Sequence, residues 1–212
     1  MYWWDNWWES TGILSSAGVM GCTPATHLRV GVMIRGRLSI LKNHPRCAKM
    51  PERTGTLDMQ DFELCVDIDE PFHGYLDERW LRRVVAETLA AEGVGSLVEL
   101  GLVITGDERI RQLNKSYRGI DEATDVLSFA LLEDSDASFV NPPDGVLHLG
   151  EVILSYPRAV VQAEEFHHPV EREVALLLVH GVLHLLGHEH EQPHDEAKMR
   201  AKEERVLGAL AL

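Results

Sequence analysis

The stretch HGVLHLLGHEH, residues 180–190, carries four histidines in eleven residues. An α-helix turns about 100° per residue, so His180 and His184, four apart, lie one above the other on one face. Imidazoles placed this way can reach one zinc ion at roughly 2.0–2.1 Å. His190 lies six residues further on. In a continued helix it would sit about 240° away and could not join the pair. Gly187 offers the break, because glycine tolerates the left-handed conformation that ends helices. The pattern HxxxHxxGxxH therefore predicts three ligands, His180, His184 and His190, for one Zn2+ per chain. Three protein ligands leave one position open, as in catalytic rather than structural zinc sites. His188 is expected beside the site or exposed. Glu189 is expected either to accept a hydrogen bond from a ligand imidazole or to be a solvated carboxylate.

Zinc peptidases with HExxHxxGxxH use the glutamate as the general base. Here that position is Gly181, so peptidase chemistry is disfavoured unless a base arrives from elsewhere. Glu151 is one candidate, and a plain strand carboxylate is its other reading. The glycine is expected to leave space for a bulky nucleotide. What the chain offers besides zinc is basic. Arg118 ends a short predicted helix beside Gly119, and its planar guanidinium suits a phosphate. Arg111 and Lys115 lie on the same helical side and are expected to bind substrate phosphate with it, although basic residues near a helix C-terminus are also favoured by the macrodipole. Arg118 beside an open zinc position suggests a phosphodiester or other anionic substrate.

The elements that must position these residues follow from periodicity. FELCVDI (62–68) alternates like a strand, as do LVELGLVIT (97–105), DVLSFAL (125–131) and HLGEVILS (148–155). Helical spacing runs over 76–93, with Trp80, Val84, Val85 and Leu89 on one face, and over 106–119. Two more helices are expected from about Pro169 to Leu186 and from about Pro193 to Leu210. The reading is a single small α+β domain: about four strands in a mixed sheet, packed against helices, with the apolar histidine helix at the centre.

Composition bounds the function. The chain has 212 residues and a net charge of −14, distributed as +3 over residues 1–58 and −17 over 59–212. Phosphate affinity comes mainly from Lys and Arg, so so acidic a domain is a poor generic nucleic-acid binder and needs a local basic patch or a docking partner. No apolar run reaches the roughly 18 residues of a membrane span. Cys22, Cys47 and Cys65 are odd in number and lack CxxC spacing, which argues for a reducing compartment and against a disulfide framework. Residues 1–58 lack a sustained period and read as a disordered N-terminal extension or as sequence upstream of a true start at Met59. The other reading is a basic tail in which Arg29, Arg35, Arg37, Lys42 and Arg46 meet an anionic partner.

Taken together, YRGIDEATDVLSF (117–129), GEVILS (150–155) and HGVLHLLGHEH (180–190) resemble the YbeY-type endoribonucleases, a 16S rRNA maturation family. The resemblance covers about residues 59–212. It implies a bacterial cytoplasmic, metal-dependent enzyme cutting single-stranded RNA. Such an enzyme would serve 16S 3′-end maturation and ribosome quality control beside the small ribosomal subunit and its proteins. It also implies zinc on His180, His184 and His190, and it matches Arg118 to the family's functional arginine. Ala130 stands where the family often has proline, which bears on strand exit only. Two other classes stay open: a ribosome-assembly factor with a structural zinc, and a metzincin-like metallohydrolase or peptidase. The residues do not choose between a zinc-activated water and the RNA 2′-OH as nucleophile.

Overall fold

The computed structural model describes residues 32–35, 62–94, 97–131, 145–190 and 192–212. The side chains of the expected basic tail and nearly all of the acidic loop 133–145 lie outside the described residues. Five strands form one mixed sheet: β1 (Val32–Arg35), β2 (Phe62–Ile68), β3 (Leu97–Thr105), β4 (Val126–Ala130) and β5 (Val146–Ser155). Their order is β1-β4-β5-β3-β2. β4 and β5 are antiparallel, and the other three pairs are parallel. Among the described residues, five α-helices accompany the sheet: α1 (Glu78–Ala91), α2 (Asp107–Arg118), α3 (Tyr156–Glu165), α4 (Val170–Leu185) and α5 (Pro193–Ala209). The α+β expectation holds. Among the described residues, no helix is long and apolar enough to cross a membrane.

Three features depart from the sequence reading. The sheet has a fifth strand, β1, which comes from the segment expected to lie outside the domain and pairs with Leu127–Ala130 of β4. The short helix α3 was not expected, although Ser155 caps its N-terminus and Pro157 sits in its first turn, where a missing N–H costs nothing. Cys65 on β2 is disulfide-bonded, against the expectation of reduced cysteines.

Strand alternation sorts the core into two layers. Leu102, Val126, Val152 and Leu154 join α1, α4 and α5 in the larger cluster. Val103, Leu127, Phe129 and Ile153 face the other way and meet Ile110 of α2 in the smaller one. The central helix is α4, as expected. Every residue from Glu173 to Leu185 is buried, and α4 touches α1, α3, α5, β4 and β5. Fully burying a Leu or Val contributes about 1.5–3 kcal/mol relative to exposure, so this all-round apolar helix is a main source of stability. Between β3 and β5 the register shifts at Glu99/Leu100, and β5 carries one extra residue there. Gly150 occupies this bulge with φ 129°. A Cβ on it would fall 2.0 Å from the Phe129 carbonyl oxygen, so only glycine fits.

Candidate metal centre

α4 ends one residue after His184, and the chain then reverses. Gly187 has φ 87°. Its N–H donates to the His184 carbonyl at 2.9 Å, and the His188 N–H donates to the Leu183 carbonyl at 3.0 Å. These paired bonds are the Schellman stop, which requires the left-handed residue that glycine adopts without strain. The reversal returns His190 to the helix. The ring centroids of His180, His184 and His190 lie 4.6, 5.2 and 5.0 Å apart in the pairs 180–184, 180–190 and 184–190. One ligand atom from each falls within 4.8 Å of the others.

These donors fit a tetrahedral metal ion. Two nitrogens each bound at 2.0–2.1 Å with a tetrahedral angle between them stand about 3.3 Å apart. His180 Nε2 and His184 Nε2 are 3.1 Å apart. His190 Nε2 is buried with no hydrogen-bond partner among the described residues. A buried polar nitrogen left so is costly unless a ligand meets it. Neutral imidazoles suit zinc among the divalent metals.

Behind His180 stands a residue that the motif does not contain. Glu203 of α5 accepts a hydrogen bond from His180 Nδ1 at 2.7 Å. Glu189, for which either that role or a solvated position was expected, is exposed. His188 is not drawn into the ligand set. Its Nε2 pairs at 2.7 Å with Glu92, the residue that follows α1. Glu92 also accepts from Lys202 and Arg205 of α5. Burial pushes the Glu92 carboxyl up, but hydrogen bonds from Lys202 and His188 outweigh it and hold the group below its ordinary value.

Gly181 does not open space. A Cβ there would fall 2.6 Å from Val152 Cγ1 and 3.2 Å from Ser128 Oγ. The Ser128 hydroxyl also donates to the Gly181 carbonyl at 3.2 Å. The glycine lets α4 press onto β4 and β5, so the expected room for a nucleotide is absent at this point. A glutamate at 181 would be driven into the sheet. Glu151 does not replace it, because it pairs with Phe129 on β4 and therefore faces α2, away from α4.

The three basic candidates lie on α2, on the opposite face of the sheet. Tyr117 packs edge-on against Phe129, with centroids 5.0 Å apart. The turn bearing Arg118 thus backs onto the residue beside Ser128. Arg118 is half-buried, donates to Asn114 Oδ1 at 3.1 Å, and makes no ion pair among the described residues. Burial holds its pKa below the ordinary arginine value. Asn114 is itself buried and donates to the Glu122 carbonyl at 2.8 Å, so it ties Arg118 to the following loop. Arg111 and Lys115 differ. Arg111 forks onto Glu108 at 3.0 and 3.2 Å and meets Asp121 at 2.5 Å. Lys115 meets the other Asp121 oxygen at 2.5 Å. The Lys115 hydrogen bond is the leading reason that the exposed Asp121 carboxyl lies below its ordinary value.

Comparison with known proteins places these residues in a family context. Residues 72–211 match the family described as Endoribonuclease YbeY. A protein of that name from Roseiflexus castenholzii is 50% identical over 157 residues, 73% of this chain and 98% of that protein. Another from Dehalococcoides mccartyi is 42% identical over 164 residues, 74% of this chain and 95% of the other. The solution structure of TM1509 from Thermotoga maritima aligns with a TM-score of 0.46 at 23% identity, over 71% of this chain and 91% of that one.

Proposed function

The chain belongs to the Endoribonuclease YbeY family, and from that membership we propose that it is a zinc-dependent endoribonuclease that cuts single-stranded RNA. Its place is the bacterial cytoplasm, in 16S 3′-end maturation and ribosome quality control, beside the small ribosomal subunit. The observation that carries the metal-dependent reading is the convergence of His180, His184 and His190, with one ligand atom from each within 4.8 Å of the others. When bound, zinc supplies Lewis acidity towards a phosphate oxygen and lowers the pKa of a bound water.

The chain's own residues do the rest. Arg118 presents its guanidinium to the scissile phosphate and neutralises the charge that gathers on the oxygens in the transition state. Asn114 holds that guanidinium in place. Arg111 and Lys115 are the weaker phosphate contacts, since an incoming phosphate must compete with Glu108 and Asp121 for them. The histidine turn and the Arg118 turn lie on opposite faces of β4. An extended single strand can present its phosphates to both turns more readily than a rigid duplex. The acidic surface of residues 59–212 disfavours tight generic RNA binding, so delivery by basic ribosomal proteins fits the charge.

The test is cleavage of a labelled single-stranded RNA by the purified chain with zinc, beside His184→Ala checked for folding. The expected result is loss of bound zinc and a fall in cleavage of at least about 100-fold, the scale of removing a metal's contribution to the transition state. Equal cleavage by both proteins overturns the reading and favours an assembly factor in which the metal only braces helices.

A further inference from the structure

We infer that Glu203 is a positioning residue of the metal centre: its carboxylate holds His180 with Nδ1 protonated and Nε2 turned to the ion. The inference rests on the reading of His180, His184 and His190 as ligands and adds to it a residue from another helix.

The inner stripe of α5 is Met199, Glu203, Val206, Leu207 and Leu210, all buried. These positions follow the helical period, and Glu203 is the one polar member. Packing alone calls for an apolar side chain there, because an unpaired carboxylate among such neighbours is costly. The carboxylate is satisfied instead by His180, whose Nδ1 lies 2.7 Å from Oε1, with side-chain exposures of 5% and 10%. A carboxylate can only accept, so Nδ1 carries the proton. The lone pair of His180 is then on Nε2, the atom 3.1 Å from His184 Nε2. An imidazole without such a partner divides between two tautomers, and only one of them presents Nε2 to a cation. The carboxylate would also add negative charge close to a divalent ion otherwise ringed by neutral ligands.

A plain cross-brace between α4 and α5 would use the same hydrogen bond, but it makes a different prediction. Removing a brace lowers stability and leaves zinc affinity unchanged. Removing a positioning carboxylate lowers zinc affinity even where the fold is kept.

The experiment is zinc competition against a chromogenic chelator for the full chain, for Glu203→Leu and for Glu203→Gln, with thermal unfolding of each zinc-free protein. Leucine suits the apolar stripe and is expected to fold, yet to bind zinc about 10–100-fold more weakly. Glutamine keeps an acceptor for Nδ1 without the charge and is expected to lose several-fold, less than leucine. Wild-type affinity in Glu203→Leu overturns the inference and leaves the three-histidine reading intact. A wild-type chain that takes up no zinc overturns both. If Glu203→Leu does not fold, Glu203→Gln decides: a several-fold loss supports the inference, and wild-type affinity sinks it.

Discussion

Ser128 and Phe129 are neighbours on β4 and point to opposite faces of the sheet. Ser128 meets the histidine turn of α4 through the Gly181 carbonyl, and Phe129 meets the last turn of α2 through Tyr117. The polar groups on the two sides are held differently. On the α4 side His180, His184 and Glu203 are buried, and apolar packing fixes their positions. On the α2 side Lys115 is exposed and Arg111 partly so, and each is paired with carboxylates at the surface. Surface pairs of this kind contribute little to stability and rearrange easily. A metal ion needs ligands fixed to within a fraction of an ångström, whereas a polyanion needs charge that can adjust. The rigid side suits the first task and the adaptable side the second, with Arg118 in between, since it is half-buried and braced by Asn114.

The largest effect is expected where the rigid side is tightest. Gly181→Glu restores the peptidase spelling of the motif, but its Cβ would fall 2.6 Å from Val152 Cγ1. Overpacking costs about 1–3 kcal/mol, and burying an unpaired carboxylate adds more. The expected outcome is loss of cooperative thermal unfolding with no gain of peptidase activity. A folded variant that cleaves peptides would show that α4 can lift off the sheet, and the contrast between the sides would collapse.

The next effect separates members of the α2 side. Arg118→Ala is expected to reduce RNA cleavage about 100–1,000-fold, the scale of one transition-state charge donor. Lys115→Ala is expected to change it less than about threefold, because Asp121 already competes for the ammonium and surface pairs are weak. Both should keep wild-type zinc content and melting temperature, since neither touches the histidine turn. Equal losses from the two variants would mean that the whole basic surface acts as a diffuse field and that Arg118 holds no special place.

Much of the metal side was legible because its parts are neighbours in the chain. The i, i+4 histidines, the terminating glycine and the returning third histidine all lie within residues 180–190, so helix geometry alone brings them together. What the pattern could not reveal comes from far away. Glu203 reaches His180 across 23 residues, and the reason for Gly181 lies in Ser128, 53 residues earlier. The choice between the two readings of Glu151 was not legible, because the bulge at Gly150 interrupts the alternation along β5. Simple period-2 reading cannot see an extra residue whose cause is a neighbouring strand. The helix α3 follows β5 without a loop, so no turn signal announced it, although Ser155 and Pro157 mark its start. Strand β1 has only four residues, too few for a period to stand out.

The smallest effect compares two carboxylates that both lie below their ordinary pKa. Glu92, on the metal side, is buried by Lys202, Arg205 and His188. Asp121, on the α2 side, is exposed between Arg111 and Lys115. A depressed folded-state pKa means that the native state favours the ionised form. That contribution is fully present above the unfolded value, about 4.3 for Glu. It is lost as pH falls through the lower folded value, because protonation then breaks the pairs. In zinc-free protein, the melting-temperature gap between wild type and Glu92→Gln should therefore be steady near pH 5.5 and close only as pH falls below about 4. Asp121→Asn should show hardly any gap at either pH, because solvent screens an exposed pair. Thermal unfolding of the three proteins from pH 5.5 down to about pH 3 checks both expectations. A gap that widens on acidification would mean that desolvation dominates at Glu92, so the turn between His184 and His190 would not be held by an ion network. Equal gaps for the two variants would remove burial as the property that distinguishes one side of β4 from the other.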